Sequence, residues 1–202
     1  MIDKNHFLEF AISKFTQFGS KRFTLDDLAH EMGISKKTIY QCFSNKETIV
    51  HESLLLLLDK IKIELKEAIE KEKNNPILCI ILIYRIGLFH LQTFSPSFVF
   101  GLKKYYPKTE KLYTSFRNNE IYLEVLNLLE RAQNLKQIRS DVNLQLTSKL
   151  CLNRLEFILF SSENLFEKYT IQELLNHLIT NNLKGIVTEN YLKENNFTIP
   201  NS

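Results

Sequence analysis

Between Thr24 and Glu47 the chain reads TLDDLAHEMGISKKTIYQCFSNKE, a stretch with little freedom in how it folds. Two capping patterns frame it, Thr24 with Asp27 and Ser44 with Glu47. In each, a hydroxyl and an acid three residues on satisfy the free amides of a helix start. Between them Gly33 permits the positive backbone angle of a sharp turn, and Ser35 is a good N-cap for a helix reaching about Phe43. The stretch therefore predicts two short helices joined by a tight turn, then a long helix from Ser44 to about Lys73. Leu28, Met32, Ile34 and Ile39 anchor a small core, and Ala29 allows a close helix crossing. With the anchors inward, Lys36, Lys37 and Gln41 face outward. That is the arrangement of a helix-turn-helix recognition helix, whose first residues meet base edges in the major groove.

Charge supports a local reading. The chain's net charge of +3 over 202 residues does not by itself imply a nucleic-acid partner. From Gly33 to Lys46, however, Lys36, Lys37 and Lys46 stand without an acid. Lysines there neutralise phosphates or donate to guanine, and the hydroxyls of Thr24, Ser35, Thr38 and Tyr40 lie close enough in sequence to bond phosphate. Paired lysines alone also fit a solvated face; the capped turn separates the two readings.

Ala11, Phe15, Gly19, Thr24, Leu28, Ala29, Gly33, Ile34, Ser35, Thr38, Ile39, Tyr40, Phe43, Lys46 and Glu47 together resemble the N-terminal signature of TetR/AcrR-family transcriptional regulators. The resemblance implies a homodimer whose two heads read halves of a near-palindromic DNA operator. It also implies a body that binds a small-molecule effector and then releases DNA. Carried over by position, Thr24, Tyr40 and Lys46 are phosphate clamps, and Lys36, Lys37 and Thr38 are base readers. Lys37 stands where the family often has a small residue, and Cys42 where larger side chains are common, which bears on the operator sequence.

The rest of the chain predicts an all-α protein of about nine helices: a DNA-binding head (1–53) joined by the long helix to a ligand-binding and dimerisation body (54–202). Gly and Pro are scarce, 5 and 4 residues, and no sustained alternation suggests strands. Helices are expected over about 5–18, 76–94, 107–134, 144–163 and 170–190, with a short one from Pro96. Ten of the 23 aromatics fall between Tyr84 and Tyr122. Tyr84, Phe89, Phe94, Tyr105, Tyr113 and Phe116, with Phe157, are candidates to line a pocket for an apolar or aromatic effector; aromatics at this spacing equally fill a core. Arg85 and His90 need a partner if buried, either a ligand carboxylate or an internal acid such as Glu156. Leu155, Leu159, Leu175, Leu178, Ile179, Leu183 and Ile186 are candidates for a two-fold interface of paired helices. The alternative is a last helix that caps its own core.

Other classes find little support. The histidines are scattered, with no metalloprotease, thiol-redox or nucleophile-elbow motif, so no enzyme, cofactor or metal site is expected. Cys42, Cys79 and Cys151 form no disulfide framework and suit a reducing compartment. The N-terminus lacks an apolar signal core, and the apolar run 77–94 carries Arg85 and His90, which are costly in lipid. A cytoplasmic protein without membrane contact is expected. The same fold acting without an effector, as a constitutive repressor, an activator or under a protein partner, remains open.

Overall fold

α1 (Lys4–Phe18) carries Phe7, Leu8, Ala11, Ile12 and Phe15 at helical spacing and buries all of them. The computed structural model describes residues 3–160 and 164–195, except the side chains at 156, 159 and 160. Every helix among them is α-helical or a short 3-10 or π turn, and no strand occurs. α2 (Leu25–Glu31), α3 (Lys36–Cys42), α4 (Lys46–Lys71), α5 (Pro76–Leu91), α6 (Pro96–Tyr105) and α7 (Pro107–Ser115) follow. α8 (Leu123–Asn134), α9 (Leu144–Phe160), α10 (Ile171–Leu175), α11 (Asn181–Ile186) and α12 (Glu189–Glu194) complete the order. The all-α expectation holds.

The chain forms two compact units. The first comprises residues 1–62 and 92–116, the second 63–91 and 117–202, so the division falls within α4.

In the first unit, Phe7 stacks on Phe43 at 5.1 Å, and Leu28, Ile39, Ile49 and Val50 close the core beneath them. α1 stops at Gly19, whose φ of +88° disfavours any side chain. A Cβ there would also lie 2.8 Å from the Ser97 hydroxyl. α6 packs across α1 at this point, and the Ser95 amide donates to the Thr16 carbonyl at 2.7 Å. The Tyr106 hydroxyl donates to the Ser20 carbonyl, 3.4 Å away.

In the second unit, α5 is the central element and buries Ile77, Ile80, Ile81, Ile83, Tyr84 and Leu88. α8 covers it with Val125, Leu128, Leu129 and Ala132. Leu174, Leu175, Ile179 and Leu183, from α10 through α11, are buried in the same unit. Among the described residues no single helix is long and apolar enough to cross a membrane.

Three local expectations change. The α4 cap is Asn45, whose Oδ1 accepts from the Thr48 amide at 2.9 Å; Ser44 instead bonds the Thr48 hydroxyl. The expected helix over 107–134 contains a π turn, Phe116–Tyr122, between α7 and α8. The expected helix over 170–190 has a π turn at Asn176–Thr180 and ends at Ile186. It breaks because Val187 turns extended and pairs with Ile138. Thr188 then caps α12 by accepting from the Tyr191 amide.

Candidate DNA-binding surface

α2 begins at Thr24, whose hydroxyl accepts from the Asp27 amide while the Asp27 carboxylate takes the Thr24 amide at 2.7 Å and the Thr24 hydroxyl at 2.8 Å. These bonds, the backbone one first, hold the Asp27 carboxyl below its usual range. After α2, Gly33 adopts φ +64°, and the Ile34 amide donates back to the Ala29 carbonyl at 3.0 Å. Ser35 caps α3 by accepting from the Thr38 amide at 3.0 Å, and the two hydroxyls meet at 2.6 Å. Ile39 and Phe43 are buried, which fixes the rotation of α3 and leaves Ser35, Lys36, Lys37, Tyr40 and Gln41 exposed and Thr38 half-buried.

Two expected DNA contacts already have partners in the free protein. Lys36 Nζ donates to Asp26 Oδ2 at 2.9 Å, and this bond raises its pKa. Lys46 Nζ donates to the Phe23 carbonyl at 2.6 Å, above the Phe15 ring at 5.7 Å. Burial, then the nearby Lys21 charge, lowers its pKa. Lys21 and Arg22, exposed in the turn before Thr24, were not singled out from sequence; a basic pair just ahead of an N-cap was the available signal.

Residues 7–52 match the family model for bacterial regulatory proteins of the tetR family. The match spans this N-terminal segment, less than a quarter of the chain. The chain is 42% identical over 67 residues to the uncharacterized HTH-type transcriptional regulator YhgD of Bacillus subtilis (strain 168). That alignment spans 33% of this chain and about a third, 35%, of YhgD. The ketosteroid transcriptional regulator KstR2 of Mycobacterium tuberculosis is similar in fold, with a TM-score of 0.70 at 17% identity over 94% of this chain and 98% of that one. A transcriptional regulator from Saccharomonospora viridis, in complex with choline, gives 0.72 at 16% identity over 92% and 98%. At such identities the likeness is one of fold.

The residues expected around an effector are divided between the two units. Phe94, Tyr105, Tyr113 and Phe116 belong to the first, and Tyr84, Arg85, Phe89, His90 and Phe157 to the second. Phe94 is buried edge-on against Phe98 at 5.3 Å, whereas Tyr105 is exposed and Tyr113 and Phe116 are half-buried. Tyr84 is buried, its hydroxyl lacks a hydrogen-bond partner among the described residues, and burial raises its pKa. Phe89 and Phe157 are open to solvent, 57% and 67% exposed. His90 Nε2 meets Glu64 Oε2 at 2.8 Å. Arg85 borders a cleft of about 450 Å³ between α4 and α5, lined also by Glu64, Glu67, Lys71, Glu72, Leu78, Leu82 and Ile86.

The residues expected at a dimer interface are largely used within the chain. Leu155, Leu175, Ile179 and Leu183 are buried, and Leu178 and Ile186 are half-buried. The Leu159 and Glu156 side chains lie outside the described residues. One face of α9 instead exposes Leu146, Leu150 and Phe157.

Proposed function

We propose that this TetR-family regulator binds a near-palindromic operator as a homodimer and is released by a small apolar or aromatic effector. The observation that carries the reading is the outward first turn of α3, where Lys36, Lys37 and Tyr40 stand exposed above the buried Ile39. Lys36, Lys37, Thr38 and Gln41 read bases, while Thr24, Ser35, Tyr40 and Lys46 bond phosphate. The functional head is residues 1–53, and 54–202 form the body. The exposed stripe Leu146, Leu150 and Phe157 supports pairing of α9 with its two-fold copy. The protein works in the cytoplasm.

A second reading keeps the regulator and drops the effector. Phe94 packed on Phe98, and Tyr84 in the α5 core, favour aromatics that fill the interior. The choline bound to the Saccharomonospora viridis regulator favours a body of this fold that takes a small molecule.

Selection of genomic fragments with purified protein, followed by footprinting at physiological salt, tests the proposal. A protected near-palindrome with two half-sites is the expected result. Protection of a single half-site overturns the dimeric reading, and no enrichment by a folded protein overturns sequence-specific binding.

A further inference from the structure

Tyr105 and Phe100, on the aromatic-rich stretch of the sequence, do not enter the interior. They are 41% and 60% exposed on α6. Lys104 Nζ lies 5.3 Å from the Tyr105 ring and 5.7 Å from the Phe100 ring. Lys21 Nζ, from the turn between α1 and α2, lies 5.2 Å from the same Tyr105 ring. Two exposed cations from segments 83 positions apart in sequence thus lie against one aromatic ring, and among the described residues neither forms an ion pair. Lys108 is exposed on the same segment, as is Arg22 beside Lys21. Like charges gathered this way repel unless an anion lies between them.

We infer that Lys21, Lys104 and Tyr105 form a second phosphate-binding surface that extends the DNA contact beyond the helix-turn-helix. The inference rests on the DNA-binding reading above. Continuity favours a nucleic-acid backbone as the occupant: Lys21 stands three residues before Thr24, itself proposed to bond phosphate, so the cations prolong that contact along the same strand. Duplex DNA supplies closely spaced phosphates, about one charge per 1.7 Å of axis. The rings hold Lys104 in place before binding, which reduces the side-chain entropy lost on contact, and the Tyr105 hydroxyl adds a donor for a phosphate oxygen.

The experiment measures the full chain on a 30-base-pair random-sequence duplex and takes the slope of log K against log salt. Wild type is compared with Lys21→Gln/Lys104→Gln, with Lys37→Ala, and with a charge-matched control, Lys66→Gln/Lys193→Gln. Each lost phosphate contact lowers the slope by about 0.9. The Lys21/Lys104 variant is therefore expected to lose about 2 per head, and the control close to none. A slope equal to the control overturns the inference. So does loss of binding to 30% phosphatidylserine vesicles by that variant with its DNA slope unchanged, which would assign the patch to an anionic membrane. Absence of salt-dependent binding by wild type overturns the DNA-binding reading itself, and retention of it with a changed slope only in Lys37→Ala overturns the patch alone.

Discussion

Lys46 Nζ donates to the Phe23 carbonyl at 2.6 Å and so ties the first residue of α4 to the residue before the α2 cap. The ammonium is half-buried above Phe15, which gives it a structural task beside the phosphate contact implied by its position. Lys46→Met keeps the stem and removes the donor. It is expected to weaken binding to operator and random DNA alike, by about tenfold for a lost charge-assisted bond of about 1.5 kcal/mol. Hydrogen exchange at residues 23–27 of the free protein should quicken. The salt slope should fall by about one for the lost phosphate contact, and exchange left unchanged would remove the structural task.

Lys36 must leave Asp26 before it can reach a base. The pair is exposed and screened by solvent, so Asp26→Asn is expected to tighten operator binding by no more than about fivefold. Lys36→Ala is expected to cost about 1–3 kcal/mol on the operator and to relax preference at one base pair, with little effect on random DNA. Competition binding against single-base operator variants measures both. Equal losses on operator and random DNA would remove Lys36 from the base readers.

The two positive-φ glycines separate conformation from space. A Cβ on Gly33 (φ +64°) meets nothing within 4 Å, while one on Gly19 (φ +88°) would press on Ser97. Gly33→Ala is expected to cost about 1 kcal/mol in denaturant unfolding, the ordinary penalty of the left-handed region. Gly19→Ala is expected to cost about 2–3 kcal/mol, because a steric clash is added to a rarer backbone angle. Equal losses would mean that Ser97 moves aside freely.

The head was readable in the sequence because its determinants are local. Thr24, Asp27, Gly33 and Ser35 each act within four residues, and each does what its chemistry predicts. The body was readable only in outline. The stripe Leu175, Ile179 and Leu183 identifies a buried face, but its spacing does not say whether the cover is α5 of the same chain or a second copy. Tyr105 has the composition of a core residue, and its exposure follows from where α6 meets the turn at Lys21. Val187 breaks its helix through a pairing with Ile138, 49 residues earlier, which no local signal carries.

The Tyr84 hydroxyl is buried in the α5 core without a hydrogen-bond partner among the described residues. Leaving such a group unsatisfied costs about 1–3 kcal/mol. Tyr84→Phe removes it while keeping the ring, so chemical denaturation is expected to find the variant as stable as wild type or up to about 1 kcal/mol more so. A loss of more than 1 kcal/mol would show that the hydroxyl is bonded, for example by an internal water.

Asp27 and Glu173 occupy equivalent capping boxes, with Thr24 and Thr170. In both, the backbone bond from the threonine is the first cause of a lowered carboxyl pKa, from ordinary values of 3.8 and 4.5. A folded-state pKa below the unfolded one means that the unfolded chain binds more protons in that interval. The stabilisation is therefore complete above the unfolded values and is lost as pH falls through the folded ones. Asp27→Asn/Glu173→Gln is expected to lower stability at neutral pH and to flatten its fall below about pH 4.5, measured by denaturant midpoints from pH 7 to pH 3. If wild type and variant lose stability in parallel over that range, the boxes contribute nothing to the acid transition and other carboxylates govern it.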